Sequence, residues 1–414
     1  MPALDLASRR PLRVLFVQGH LRENGGLRVV LELARRFVAD GVETTVFALE
    51  DVCGVPTATP DPSVRLVLGA DAALPGSRRL PRGVRRLVAE ARHHDVVVSG
   101  SEIGHGVLAG WIAARLTRRP FVVLAQGDLD EAVAAWVPRH LRRVTRLADA
   151  HADATICVSP GLVPGIVANG QPAERTHVVV NGVDVDALRA RAAGRPRRRV
   201  AVPQVVSLGR LTPHKGFDLL VRASAAVRAR GLEHELTIAG EGEGRADLEA
   251  LVADLGADHV RLPGFTDRPE SVLSGADLFV SSSRTEAMPL TLLESLALGT
   301  PVVATDCSVG TRMLLAEGEL GRLVPTESVE ALTEALAAHL TDPEPLRAAA
   351  DRGPEFARRF DPQRLSREHL AILARIAGRD LPAGLSAGSP EHRQEAQDVQ
   401  VARQRTAAGD RHAA

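Results

Sequence analysis

VVSLGRLTPHKG, residues 205–216, holds the single lysine of a 414-residue chain; Lys and Arg together number 51, and every one except Lys215 is Arg. Within this stretch the apolar run Val205 to Leu208 reads as a buried strand. Gly209 frees the backbone, Arg210 follows at the strand's end, and Gly216 opens the amphipathic run Phe217, Leu219, Leu220, Val221. Arg210 and Lys215 therefore share one strand-to-helix loop. Arg offers a planar fork and Lys a compact point charge, and together they can neutralise a diphosphate without a metal ion. Taken alone, R-x4-K reads better as two solvated cations on a surface loop.

The same rhythm runs outward in both directions. Downstream, strands are expected at Leu236 to Ala239, near Val260 to Leu262, at Asp277 to Ser281 and at Pro301 to Ala304, with helices between them. Upstream, Leu12 to Val17 is an apolar strand that leads through QGHLRENGG, with Gly25 and Gly26, into a helix ending at Gly41. Further strands are expected at Thr44 to Leu49, Val64 to Leu68, Asp95 to Ser99, Phe121 to Ala125, Ala154 to Val158 and His177 to Val180, with helices at Gly106 to Leu116 and Pro138 to Ala150. That alternation implies parallel sheets covered by helices on both faces. NGVDVDALRARAAGRPRRRV breaks it, which divides the chain at that segment. The expectation is an α/β protein of two doubly wound, Rossmann-like domains, residues 1–186 and 187–360, facing each other across a cleft. A helix within residues 361–380 crosses back to the first domain, and residues 381–414, rich in Gly, Ser, Gln, Arg and Glu, form a disordered tail. In open sheets of this kind, ligands bind at the carboxyl ends of the strands.

Composition narrows the function classes. A hydrophobic share of 45%, a charged share of 25% and a formal net charge of +0 describe a globular protein without the broad basic surface that nucleic acid requires. Cys53, Cys157 and Cys307 show no C-x-x-C spacing and read as buried thiols in a reducing compartment. The leader MPALDLASRRPL lacks an apolar stretch of signal length, and no run approaches a membrane span, so the expected location is cytoplasmic.

The stretch richest in candidate chemistry is SSSRTEAMPLTLLESLALGTP, residues 281–301. A strand ends in serines, a loop carries Glu286, Pro289 suits a first helical turn, and Gly299 with Pro301 stops the helix. Exposed amides around Pro289 to Leu292 can hold phosphate oxygens, and the carboxylates of Glu286 and Glu294 can each accept hydrogen bonds from a pair of hydroxyls. A nucleotide sugar offers both groups. Alone, Glu294 reads as an ordinary exposed helical residue.

These motifs carry a family resemblance. E-x7-E (Glu286, Glu294) followed by Gly-Thr-Pro-Val-Val at Gly299 to Val303 resembles the family-four retaining glycosyltransferases of GT-B fold. NGVD at Asn181 to Asp184, Gly209-Arg210 with Lys215, GEGEG at Gly240 to Gly244, LPGF at Leu262 to Phe265 and GRLVP at Gly321 to Pro325 extend it over roughly residues 11 to 378. The resemblance implies that Arg210 and Lys215 bind a donor diphosphate, that Glu294 holds the ribose and that Glu286 faces the donor sugar. It places Gly264 and Phe265 near the base, Gly25 and Gly26 by the phosphates and acceptor, and Met288, Pro289 and Leu290 around the donor. It implies no metal and no cofactor, only a nucleotide-sugar co-substrate, with UDP-sugar ahead of GDP-sugar. The acceptor could be a sugar, a lipid-linked sugar or a small molecule.

One position departs from the family pattern. Many members carry His after the fifth strand, where FVVLAQGDLD has Gln126; His105, in SEIGHG, matches an earlier and less telling position. Gln cannot move a proton but can hydrogen-bond a sugar hydroxyl. The acceptor or sugar contacts expected in this domain are therefore His105, Gln126 and Asp128. The departure also motivates two rivals, a GT-B nucleotide-sugar epimerase and a non-catalytic nucleotide-sugar-binding scaffold.

Other patterns carry less. Asp184-Val185-Asp186 and Asp128-Leu129-Asp130 both spell the metal motif of a different glycosyltransferase fold, and GEGEGR reads as a turn with an acidic helix start. Arg78, Arg79, Arg82, Arg85 and Arg86, with Arg139, Arg142, Arg143 and Arg146, suit peripheral contact with the inner face of a membrane. A solvated face in an Arg-rich protein is the commoner explanation.

Overall fold

A computed structural model describes residues 10–21, 24–50, 60–70, 76–193, 202–382 and 385. Cys53, the side chains of Arg78 and Arg79, and nearly all of the expected tail lie outside the described residues.

The first sheet has seven parallel strands in the order β3-β2-β1-β4-β5-β6-β7. They are β1 (Arg13–Gln18), β2 (Glu43–Ala48), β3 (Arg65–Leu68), β4 (Val96–Ser99), β5 (Phe121–Ala125), β6 (Ala154–Cys157) and β7 (Thr176–Val178). The second has six, ordered β10-β9-β8-β11-β12-β13: β8 (Gln204–Leu208), β9 (Glu235–Ala239), β10 (Val260–Gly264), β11 (Leu278–Ser281), β12 (Val302–Thr305) and β13 (Arg322–Val324). The central strands β4, β5, β6, β11 and β12 are buried along their whole length, as continuous Val, Ile and Leu runs covered on both faces should be. In each sheet the strand order reverses beside the first strand, between β1 and β4 and between β8 and β11, which opens a crevice above their carboxyl ends.

The helix Gly25–Ala39 is capped by Asn24, whose Oδ1 accepts from Leu27 N at 2.9 Å, and it buries Leu27, Val30, Leu33, Ala34 and Phe37 on the first sheet. The helix expected over Pro138 to Ala150 starts later, at Arg142–Ala150, and a separate helix not expected from the sequence, Leu129–Trp136, precedes it. Asp128 caps Leu129–Trp136, and Pro138, which has no amide to donate, sits in the turn between the two. GRLVP, quoted above only as a motif, carries the edge strand β13. In the Arg-rich helix, Arg142 donates to Val137 O and Ala134 O, and Arg146 pairs with Asp130, so part of that basic patch is used internally.

Two chain crossings join the domains and run side by side. Val183 N donates to Phe360 O at 3.0 Å, and a Cβ on Gly182 would lie 2.7 Å from Pro362 Cα. Beyond the second crossing, the helix Pro362–Ala377 packs on Gly25–Ala39; Gln363 bridges Arg36 and Asp40, and Arg379 reaches Asp95 at 2.9 Å. Residues after the first crossing form the helix Val185–Ala193, which packs on Leu290–Leu298 and Pro269–Ser274 of the second domain. Asp186 lies in its first turn.

Candidate active site

In the second domain the loops after β8 and β11 meet at the crevice. Lys215 closes a short 3-10 turn, Pro213–Lys215, and Gly216 follows with φ +62°; a Cβ there would stand 2.1 Å from Ser282 O. Only glycine takes that left-handed turn so near another backbone. The close approach brings the two loops into register: Ser282 Oγ donates to Lys215 O at 3.0 Å, and Lys215 Nζ meets Glu286 Oε1 at 2.5 Å. Ser283 Oγ donates to the same Glu286 oxygen at 2.7 Å. Arg284 braces the pair from outside, forked onto Asp218 at 2.7 and 2.9 Å and onto Glu327 at 2.5 Å. Arg210 lies half-buried on the β8 loop. Beside it, burial and then the Lys215 charge lower the His214 pKa, which favours a neutral imidazole among the cations.

The β11 loop ends where the helix Leu290–Leu298 begins, with Pro289 as its N-cap. Met288 and Pro289 are buried, and Met288 Sδ accepts from Asn181 N at 3.2 Å, which ties this loop to the first chain crossing. Glu294, one turn along the helix, is 6% exposed. Its Oε1 accepts from Arg28 Nη2 at 2.6 Å, across the cleft. Its Oε2 is buried with no hydrogen-bond partner among the described residues. At the end of β10, Gly264 has φ +94° and Phe265 is 44% exposed.

The first domain brings its own helix N-terminus to the same place. A Cβ on Gly25 would lie 3.7 Å from Leu290 Cδ1, and one on Gly26 would lie 3.4 Å from Gln126 Cγ. The amide ends of helices Gly25–Ala39 and Leu290–Leu298 thus approach each other, and both favour an anion placed near them. Gln126 Nε2 is buried and without a partner among the described residues.

Beneath Gln126 lies a residue that the sequence did not single out. Glu102 accepts from Gln126 N at 2.9 Å, also receives the Gly127 amide, and is 4% exposed; burial pushes its carboxyl up to about 7. Asp149 is buried nearby, with its carboxyl pushed well above the usual range by burial and by the Glu102 charge, and neither of its oxygens has a partner among the described residues. The available signal was an acidic residue at the strand end beside the first domain's crevice, in SEIGHG, where the histidine drew attention instead. His105 is exposed in the first turn of Gly104–Thr117, and Asp128 caps a helix through Glu131 N at 3.0 Å. Both D-x-D carboxylate pairs are similarly occupied. Asp184 caps Val185–Ala193 through Ala187 N, Asp186 pairs with Arg358 at 2.6 Å, and Asp130 pairs with Arg146. Behind Glu294, on the side of the chain crossings, a cavity of about 490 Å³ is lined by Arg28, Arg36, Asp184, Arg191, Glu294 and His369 among others.

Residues 195–356 match the model of the glycosyl transferases group 1 family, and residues 24–182 match that of the glycosyl transferase 4-like domain. The D-inositol 3-phosphate glycosyltransferase of Thermobispora bispora is 31% identical, over 87% of this chain and 92% of its own length. The chain belongs to the group 1, family-four-like glycosyltransferases. The glycosyltransferase is also 29% identical to the lipopolysaccharide core biosynthesis glycosyltransferase LpsE of Rhizobium meliloti, over 61% of this chain and 78% of that one. Among solved structures it resembles Anabaena HepE in complex with UDP and glucose, with a TM-score of 0.74 at 19% identity over 88% of this chain and all of that one. WaaG, a glycosyltransferase involved in lipopolysaccharide biosynthesis, gives 0.67 at 18% identity over 87% of this chain and 99% of that one. These likenesses bear out the GT-B fold expected from the motifs. Among the described residues of the glycosyltransferase, no helix is long and apolar enough to cross a membrane.

Proposed function

We propose that this glycosyltransferase moves a sugar from a nucleotide-sugar donor, a UDP-sugar, to an acceptor hydroxyl with retention at the anomeric carbon and without a metal ion. The observation that carries this reading is the Lys215–Glu286 contact set beside two helix N-termini, with Glu294 on the far side of them. Lys215, Arg210 and the amides at Leu290–Leu298 would supply positive charge where the leaving diphosphate gains negative charge, and stabilising that developing charge is the main catalytic task available to these residues. Glu286 would accept from donor sugar hydroxyls, Glu294 from the ribose, and exposed Phe265 with Gly264 would border the base. Gly25 and Gly26 would lie by the phosphates, and Gln126 would hydrogen-bond a sugar hydroxyl.

In the step itself, the acceptor oxygen forms a bond to the anomeric carbon as the bond from that carbon to the diphosphate oxygen breaks. The electron pair stays on the diphosphate, and the acceptor's proton passes to a diphosphate oxygen on the same face, so no side-chain base is required and Gln126 suffices where many relatives have His. HepE was solved with UDP and glucose, which favours uridine as the base. The acceptor could be a growing saccharide, a lipid-linked sugar or a small molecule.

The test is binding and slow hydrolysis over a panel of UDP-, GDP- and dTDP-sugars, comparing the native chain with Lys215→Ala. One donor should bind and be consumed, and the substitution should abolish both. Conversion of donor into an isomeric nucleotide sugar with no acceptor present would mark an epimerase. Binding without turnover in the presence of an acceptor panel would mark a scaffold.

A further inference from the structure

Glu294 uses its two oxygens unequally. Oε1 carries a hydrogen bond from Arg28, while Oε2 is buried and without a partner among the described residues. A buried acceptor left in that state gains from any hydroxyl brought to it. The two residues also come from different domains: Arg28 stands in the first turn of Gly25–Ala39, two positions after Gly26, and Glu294 in the middle of Leu290–Leu298. The contact therefore exists only when the helix N-termini face each other.

We propose that Arg28 is a positioning residue for the nucleotide: its guanidinium fixes one oxygen of Glu294 across the closed cleft and leaves the other for the ribose diol. This inference rests on the reading that Glu294 holds the ribose. It makes selectivity for a ribonucleotide a property of both domains rather than of the second alone. The recorded contact is single, Nη2 to Oε1, so Arg28 fixes the place of one carboxylate oxygen by a charge-assisted bond and leaves the other to accept. Linkage then runs in both directions. A ribose bound to Glu294 favours the closed arrangement in which Arg28 reaches it, and closure favours the ribose.

The experiment is calorimetric titration of the full chain with UDP and with 2′,3′-dideoxy-UDP, or with the corresponding guanosine pair if the donor panel selects GDP. The proteins are the native chain and Arg28→Ala, Arg28→Lys, Glu294→Gln, Lys215→Ala and the Arg28→Ala/Glu294→Gln double variant. The native protein should prefer the ribonucleotide by more than about tenfold, since a site built around a hydroxyl rejects the analogue lacking it. Arg28→Ala should lose most of that preference while binding of the dideoxy analogue stays constant. Glu294→Gln should do the same, the double variant should add nothing further, and Arg28→Lys should retain part. Equal loss for both nucleotides would overturn the proposal, because a general electrostatic or packing role does not read the diol. Tighter UDP binding by Arg28→Ala would also overturn it, by making Arg28 a competitor for Glu294. If the native chain binds no ribonucleotide, the donor reading falls and this one with it. If Lys215→Ala loses binding while Arg28→Ala leaves the preference intact, only this one falls.

Discussion

Both sheets open a crevice where their strand order reverses, and the two domains handle charge there in opposite ways. At the second domain's crevice a half-buried cation and carboxylate satisfy each other, Lys215 against Glu286, with Arg284 bracing the loops from outside. In the first domain two carboxyl groups, Glu102 and Asp149, are buried with no ion pair among the described residues, and burial holds both toward the protonated form. The second arrangement is pre-set for an incoming anion, whose negative charge can take over Lys215. The first is neutral at its core and displays an amide, Gln126, toward the cleft. The difference suits a donor that carries its charge into one domain and an acceptor that presents hydroxyls to the other.

The sharpest way to break this comparison is at the cation. Lys215→Ala leaves Glu286 without its charge partner and removes the point charge proposed to meet the diphosphate. Loss of one partner from a desolvated pair is expected to weaken donor binding by 100-fold or more, about 3 kcal/mol, read by titration with the donor. Retention of native affinity would mean that the two crevices are not charged for different ligands.

Glu102 offers the reverse test, through pH. Its carboxyl keeps its proton in the fold up to about 7, whereas in the unfolded chain it ionises near 4.5. Between those values the native state holds the extra proton, so stability falls as pH rises, by about 3 kcal/mol for a shift of this size. Asp149, raised as well, adds to the same slope. His369 shapes the opposite limb. Buried and lowered to about 4, it stays neutral in the fold, and stability is lost as pH drops below about 6.5, where the unfolded imidazole begins to take up a proton. Glu102→Gln should flatten the loss from pH 5 to 8 and leave the acid limb unchanged, as measured by denaturant unfolding across that range. An unchanged alkaline slope would show that the carboxyl is not held protonated.

The smallest expected effect is at Gln126. Gln126→Ala removes one hydrogen-bond donor and should raise KM for the acceptor about fivefold with little change in donor affinity, in line with roughly 1 kcal/mol for a neutral hydrogen bond. Gln126→His should retain activity without steepening its pH profile if the leaving diphosphate takes the proton.

How much of this was legible in the sequence follows the same division. The lone lysine, the glycine after it and the E-x7-E spacing are local patterns that pointed to the second domain's loops, and the structure places Lys215, Gly216 and Glu286 together. Arg28 was not legible, because its partner lies 266 residues away and an Arg in an Arg-rich chain carries no mark. Glu102 was missed for a different reason: its interest lies in its burial under the Gln126 loop and in its nearness to Asp149, neither of which a linear sequence displays. Helix Leu129–Trp136 is only eight residues long, and its cap, Asp128, serves in sequence equally well as a ligand contact.

The left-handed turn at Gly216 has a practical consequence. An endoprotease that cuts only after lysine has a single peptide bond to attack in this sequence, Lys215–Gly216, and in the fold that bond is pinned under the Ser282 carbonyl. Cleavage requires the two crevice loops to part, and one cut yields two fragments of similar length. The rate of scission therefore counts openings that free the Lys215 loop, local or global, and a donor bound to Lys215 as proposed should slow that clock by the fraction of time it is bound.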